Sequence, residues 1–381
     1  MNIFIKNTAE KFLLLKPLKN IIVFESNPDF TDNSRALFDE MIKRKVNDNF
    51  LLLWATHNSS ELPNDLKNIK NVEFADINSF KYKYYYSYYA RAFAVSNIFL
   101  NKRREEQYYI YLAHGAAFKA IKDKRYSLPK ECYGCDFCAY SEFSGKYDAE
   151  NLNANVNDVN IIETGYPRND VLFEKNNKCK ALFNTEKYIY WLPTFRQKSG
   201  DNSSVSSISI PFIYNSEDLE KINNTADESN ITLVIKPHPA QDLSKIKINN
   251  LSNVKFIDES FLTENKVSNY EVLADSCALL SDYSSVFYDY LLCDKPIGFC
   301  WEDYEIYVKN EGINPDLIEF TECGDKLFTA DDLCAFIKDV TLGNDKLKEK
   351  REEIKNKVHK YTDSNSASRI VDYLISKKVI K

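Results

Sequence analysis

The sequence predicts an α/β protein with two parallel sheets, one in each half of the chain. Three observations carry that expectation. Short apolar runs of strand length alternate with stretches of helical length along almost the whole chain. Residues suited to chemistry recur just past those apolar runs, where parallel α/β sheets place their ligands. Glycine numbers only 9 in 381 residues, and neither G-x-x-x-x-G-K-[ST] nor G-x-G-x-x-G occurs, so glycine-rich phosphate loops are largely excluded.

After a leader at 1–17, NIIVF (20–24) reads as a short buried strand, and DNSRALFDEMIKRK (32–45) as a helix with Asp32 or Ser34 near its cap. FLLLWAT (50–56), NVEFAD (71–76), ARAFAVSN (90–97) and QYYIYLAHG (107–115) follow as strands, the last ending in a loop that carries His114. CDFCAYS (135–141) and NIIETG (160–165) complete this half, with a linker near 172–186. The second half opens with YIYWLPT (188–194), a Ser-rich loop at 198–209 and a helix at 216–229. ITLVIKPHP (231–239), VKFID (254–258), CALLSD (277–282) and KPIGFC (295–300) are its further strands. The expected domains are 1–175 and 176–364, with a C-terminal helix at about 365–381 crossing back onto the first.

Composition bounds the function. Apolar residues make up 44% and charged residues 28%, as in a soluble globular protein, and the net charge of −6 argues against non-specific nucleic-acid binding. No apolar run approaches a membrane span and no signal peptide is visible, which gives a cytoplasmic expectation. Cys132, Cys135 and Cys138 are spaced like metal ligands, but no fourth ligand follows and a strand puts Cys135 and Cys138 on opposite faces. Reduced, structural thiols are the expected state of all nine cysteines.

The chemistry candidates sit past strand ends. His114 and Gly115 form a tight turn, with a hydrogen-bonded structural histidine as the equal alternative. His238 lies between Pro237 and Pro239, which fix the turn and aim Lys236 and His238 rigidly. Arg196 follows a strand in PTFR, and Arg168 follows Pro167 in GYPRND. In CALLSDYSSVFYDY (277–290) a strand gives way to a helix at Asp282, Ser284 and Ser285. Such a turn suits a phosphate, although most serines there are simple caps. Two Arg, one Lys and two His together point to a polyanion such as a nucleotide diphosphate.

These residues resemble the CDP-glycerol glycerophosphotransferases of teichoic acid and capsule synthesis. The resemblance runs from about residue 20 onward through DNSRALFDEM (32–41), HGAAFK (114–119), GYPRNDVLF (165–173), PTFR (193–196), IKPHP (235–239), LLSDYSSVFYDYLLCDKPIGF (279–299) and DSNSASRIVDYL (363–374). GYPRND together with DYSSVF is the specific pair. One departure is HGAAFK, where the family usually reads HGTPLK. The resemblance implies a GT-B-like fold of two Rossmann-like domains with the active site in the cleft between them. It also implies transfer of glycerol phosphate, or a related alditol phosphate, from a CDP-linked donor to a hydroxyl of a lipid-linked or polymeric acceptor, with release of CMP. It makes His114 the general base and His238 a contact to the diphosphate and the leaving CMP. Arg168, Arg196, Lys236, Asp282, Ser284 and Ser285 then fall on the donor side. Gly115 and the basic residues Lys119, Lys122 and Lys124 fall on the acceptor side.

No cofactor is called for, although a donor-bound Mg²⁺ needs few protein ligands. A lipid-linked acceptor implies work at the inner face of the cytoplasmic membrane. The leader, with Phe4, Phe12 and Leu13–Leu15 among Lys6, Lys11, Lys16 and Lys19, reads as a lead-in packed on the first sheet or as an interfacial helix. A nucleotide-sugar glycosyltransferase and a non-catalytic nucleotide-binding partner are the other functions this architecture accommodates.

Overall fold

The computed structural model describes residues 13–119, 127–174, 177–194, 210–238, 241, 243, 251–310 and 312–381. Most of the leader and the Ser-rich loop at 198–209 lie outside these residues. Two compact units divide the chain. Unit 1 runs to Ala116, resumes through Asp170 and takes in His359–Lys381, while unit 2 holds a segment beginning at Ala117 together with Val171–Val358.

Unit 1 is built on seven strands: β1 (Lys19–Glu25), β2 (Leu51–Thr56), β3 (Val72–Asp76), β4 (Ala90–Val95), β5 (Tyr108–Tyr111), β6 (Cys135–Ala139) and β7 (Val159–Glu163). Their order is β3-β2-β1-β4-β5-β6-β7, and every pairing is parallel. Strand order reverses between β1 and β4, so the crevice past their carboxyl ends is the expected place for a ligand. Alternate strand residues, Ile22 and Phe24, Leu52 and Trp54, Ala92 and Ala94, face one core. Helix α1 (Asp32–Lys43) covers that face with Leu37, Phe38 and Met41.

Helix α2 (Glu142–Asn151) packs near β6 and β7 and opens on a capping box at Ser141. Unit 2 has six parallel strands: β8 (Tyr188–Trp191), β9 (Thr232–Ile235), β10 (Val254–Phe256), β11 (Ala278–Ser281), β12 (Ile297–Cys300) and β13 (Asp325–Leu327). Their order, β10-β9-β8-β11-β12-β13, repeats the doubly wound pattern with its reversal between β8 and β11. Helices α3 (Ser216–Glu228), α4 (Val286–Tyr290), α5 (Ala330–Leu342) and α6 (Lys348–Val358) surround it. Leu219, Ile222 and Ala226 of α3 and Leu333, Phe336 and Ile337 of α5 fill its core against β8, β9, β11 and β13. The segment read as a linker holds a short helix, Lys178–Phe183, whose Cys179 N–H donates to Asp275 at 3.0 Å.

The last helix, α7 (Ser366–Ser376), returns to unit 1 and buries Ile370, Val371 and Leu374 in the core beneath α1. Its N-terminus is capped from a distance: both Asp170 carboxylate oxygens accept, from Ser366 N–H at 2.8 Å and Ala367 N–H at 2.9 Å. Arg369 donates to the Thr164 carbonyl at 3.0 Å. The GYPRND turn and the closing helix are therefore one structural unit. Gly165 shows why no side chain is admitted between them: its φ is +74°, and a Cβ there would stand 2.7 Å from Ser366 Oγ. We predict that Gly165→Ala lowers stability by about 1–3 kcal/mol. Urea unfolding should show a lower midpoint at unchanged slope, and an unchanged midpoint would contradict this packing.

Candidate active site

The turn after β5 and the start of α1 together build a histidine–carboxylate pair in unit 1. Ala113 has a φ of +60° and Asp32 one of +62°, both in the left-handed region. Neither conformation is comfortable for these residues, so the surroundings must hold them. Asn33 does so at the first: its Nδ2 donates to the Leu112 carbonyl at 3.1 Å and the Ala113 carbonyl at 2.9 Å. Its Oδ1 accepts the Arg168 N–H at 3.0 Å, which joins the GYPRND turn to the same point. Ser34 turns the other way, donating to the Glu25 carbonyl at 2.6 Å and contacting Ser96 Oγ at 2.7 Å.

Asp32 lies between His114 and Arg168. One carboxylate oxygen bonds His114 Nδ1, and the other accepts from Arg168 Nη1 at 2.7 Å. Arg168 Nη1 also donates to the His114 carbonyl. Burial raises the Asp32 carboxyl, but Arg168 and then His114 outweigh it and bring its pKa to about 2. The carboxylate is therefore ionised and can only accept, so His114 Nδ1 carries the hydrogen between them and Nε2 is the ring nitrogen that Asp32 does not engage. The His114 side chain is 65% exposed while that of Asp32 is 6% exposed. This is an open imidazole aimed by a buried carboxylate, the arrangement of a general base.

Exposure separates the four histidines. His57 Nε2 bonds Glu25 Oε1 at 3.0 Å, with the His57 side chain 12% exposed and Glu25 wholly buried. Glu25 Oε2 accepts the Asn97 and Ile98 N–H groups, so this pair is consumed in holding the ends of β1, β2 and β4. His359 is buried against the Tyr140 ring. His114 and His238 alone are exposed.

In unit 2 the switch between β8 and β11 carries two of the motifs. Asp282 is buried, and its carboxylate accepts from Thr194 N–H at 3.0 Å, Thr194 Oγ1 and Tyr283 N–H at 2.7 Å. It thereby fixes the turn after β8. Tyr283 donates to Asp303 at 2.7 Å and stacks on Tyr307 with centroids 3.6 Å apart. Ser284 Oγ accepts the Val286 N–H at 3.3 Å, and Ser285 stands at the N-cap of α4 without a side-chain bond. Both serines are half-buried. Lys236 follows β9 and pairs with Glu259 at 3.0 Å. His238 is exposed beyond it, and partial burial, then the charges of Lys236 and Lys119, push its pKa down. A neutral imidazole beside two ammonium groups suits an anionic ligand.

The expected residues thus fall into two sets. His114, Gly115 and Arg168 gather in unit 1, and Lys236, His238, Asp282, Ser284 and Ser285 in unit 2. Lys119, placed by the sequence on the acceptor side with Gly115, falls in unit 2, where Phe118 and Lys119 are anchored. Arg168 is buried against Asp32, and Asp282 is occupied by backbone and hydroxyl donors, so both act on neighbouring protein groups. Arg196, Lys122 and Lys124 lie outside the described residues. Sequence reading missed the parts played by Asp32 and Asn33; a polar triplet opening a helix opposite an HG turn was the available signal. Among the described residues no three His, Cys, Asp or Glu side chains gather as a metal-ligand set. All nine thiols are free, and burial pushes those of Cys132 and Cys135 up to about 12.

The Asp32 pair has a pH signature. Its folded pKa of about 2 lies below the ordinary 3.8. The stabilisation is present above the unfolded value and is lost as pH falls through the folded one. We predict that this group supplies on the order of 2 kcal/mol of stability that disappears between roughly pH 4 and pH 2. Urea titrations should find that acid limb flattened in Asp32→Asn, and an identical limb in both proteins would contradict the pairing.

The geometry can be set beside known proteins. The family model for CDP-Glycerol:Poly(glycerophosphate) glycerophosphotransferase matches residues 8–376. A teichoic acid poly(glycerol phosphate) polymerase of Bacillus spizizenii is 27% identical over 323 residues, 78% of this chain and 77% of the relative. Teichoic acid ribitol-phosphate polymerase TarK of Staphylococcus aureus is 24% identical over 325 residues, 78% of this chain and 58% of its own length. A teichoic acid poly(ribitol-phosphate) polymerase of B. spizizenii is 26% identical, with 96% of this chain and 57% of the relative covered. The chain thus spans little more than half the length of the latter two. The wall teichoic acid polymerase TagF aligns with a TM-score of 0.74 at 21% identity, over 98% of this chain and 94% of that one, which establishes the GT-B-like fold. With the family model matching nearly its whole length, the chain belongs to the CDP-glycerol:poly(glycerophosphate) glycerophosphotransferase family.

Proposed function

We propose that this protein transfers an alditol phosphate from a CDP-linked donor to a hydroxyl of a polymeric or lipid-linked phosphate acceptor, releasing CMP. The observation that carries the reading is the open His114 imidazole whose Nδ1 is held by the buried, ionised Asp32. His114 Nε2 takes the proton of the acceptor hydroxyl as its oxygen attacks the phosphorus that bears the alditol. The bond from that phosphorus to the bridging oxygen breaks, and CMP departs with the electron pair. Asp32 keeps the ring in the required tautomer and offsets the charge that develops on it. Arg168 and Asn33 are positioning residues for that pair.

The phosphates fall to unit 2. Lys236, His238 and the hydroxyls of Ser284 and Ser285 supply donors to the diphosphate, with Arg196 a further partner from the same set of motifs. Asp282 acts through the Thr194 turn it holds. Phosphoryl transfer needs this division, because catalysis there is mostly positioning and stabilisation of spread charge. Gly115 and the basic residues Lys122 and Lys124 fall to the acceptor. Relatives named for both glycerol and ribitol phosphate support an alditol phosphate as the transferred group and leave its identity to assay. Among the described residues no helix is long and apolar enough to cross a membrane. A lipid-linked acceptor would bring the protein to the cytoplasmic membrane surface.

The test is CMP release from CDP-glycerol, and then CDP-ribitol, with and without a phosphate-polymer acceptor. Acceptor-dependent release in the wild type should fall by roughly 10²-fold or more in His114→Ala, with donor binding retained. Undiminished turnover in that variant would remove His114 as the base.

A further inference from the structure

The HGAAFK motif begins in unit 1 and ends in unit 2. Its last two residues are anchored there by a backbone bridge and by ring contacts. Lys119 makes an isolated antiparallel bridge with Ile313, and the Phe118 carbonyl accepts the Asn314 N–H at 3.0 Å. Phe118 is 1% exposed. Its ring meets Phe287 edge-on at 5.1 Å and Tyr288 at 6.2 Å, both residues of α4 in the DYSSVFYDY stretch.

This anchoring sets the direction of the lysine. Lys119 Nζ lies 5.6 Å from the centroid of the Tyr307 ring, within the range of a cation–π contact. Tyr307 is itself stacked on Tyr283 of the same DYSS turn. The ammonium therefore rests on the Tyr307 ring, which is stacked in turn on Tyr283 of the phosphate-side motif. Its charge is also felt at His238, together with that of Lys236. Lys236 has Glu259 as a counter-ion at 3.0 Å, and the charges of both lysines add to burial in pushing the His238 pKa down. Like charges brought together repel, and an anion between them reverses the sign of that energy.

We propose that Lys119 is a donor-binding residue whose ammonium contacts the diphosphate of the CDP-linked donor beside His238 and Lys236. The assignment rests on the transferase reading above and moves Lys119 from the acceptor to the donor. It also gives the HG motif two tasks, a base at its start and a phosphate contact at its end.

Calorimetric titration of the full chain with CDP-glycerol tests the proposal in wild type, Lys119→Met and Lys119→Arg, alongside KM for the polymeric acceptor. Methionine keeps the length of the stem and removes the charge, while Phe118 still anchors the segment. Affinity for CDP-glycerol should fall roughly 10-fold or more in Lys119→Met and recover in large part in Lys119→Arg, with the acceptor KM little changed. Donor affinity that is unaltered in Lys119→Met while acceptor KM rises would overturn the assignment and return Lys119 to the acceptor. Equal weakening in both variants would also overturn it, because shape rather than charge would then be responsible. A wild-type protein that binds neither CDP-glycerol nor CDP-ribitol would defeat the transferase reading itself, a result distinct from either of these.

Discussion

A carboxylate taken out of water is tolerated only when its charge is answered, and Asp32 meets that demand with His114 and Arg168 together. The consequences spread through unit 1. Because Arg168 must reach Asp32, the GYPRND turn is drawn beneath the HG turn, and Asn33 bonds both. Two residues further on, Asp170 caps α7 and so recruits the end of the chain into the same layer. Three stretches far apart in sequence thus become one arrangement around a single buried charge. Its product is an imidazole held at Nδ1 and exposed at the surface of the unit.

Unit 2 solves a different problem on the same topology. Its reversal point lies between β8 and β11, and there Asp282 ties the turn after one strand to the turn after the other. Instead of one aimed base, the function proposed gives it several donors: Lys236, His238, two serine hydroxyls and Lys119. That contrast matches the chemistry proposed, in which one proton moves while charge on several phosphate oxygens must be balanced.

Much of the fold was legible in sequence. Buried strands such as LLLWAT and TLVI announce themselves because a parallel sheet covered on both faces needs continuous apolar runs. Strand β13 (Asp325–Leu327) escaped because it is a three-residue edge strand with a single apolar residue, Leu327. Helix α2 escaped because its polar and apolar residues lack a clear face. In the site, His114 and His238 stood out through their turns, since glycine and proline act locally. Asp32 read as a helix cap, its commonest use, because nothing local encodes a partner 82 positions away. The place of Lys119 in unit 2 was hidden for a related reason: spacing from His114 cannot reveal that Phe118 is buried against Phe287. Long-range pairing, not local propensity, decided each of these cases.

The most direct test of the account is the fate of the donor phosphate that bears the alditol. CDP-glycerol labelled at that phosphorus should deliver the label to the acceptor, leaving unlabelled CMP as the nucleotide product. Label retained in released CDP, with an unlabelled glycerol unit on the acceptor, would mean that the carbon–oxygen bond is broken instead, and would contradict the phosphoryl-transfer mechanism.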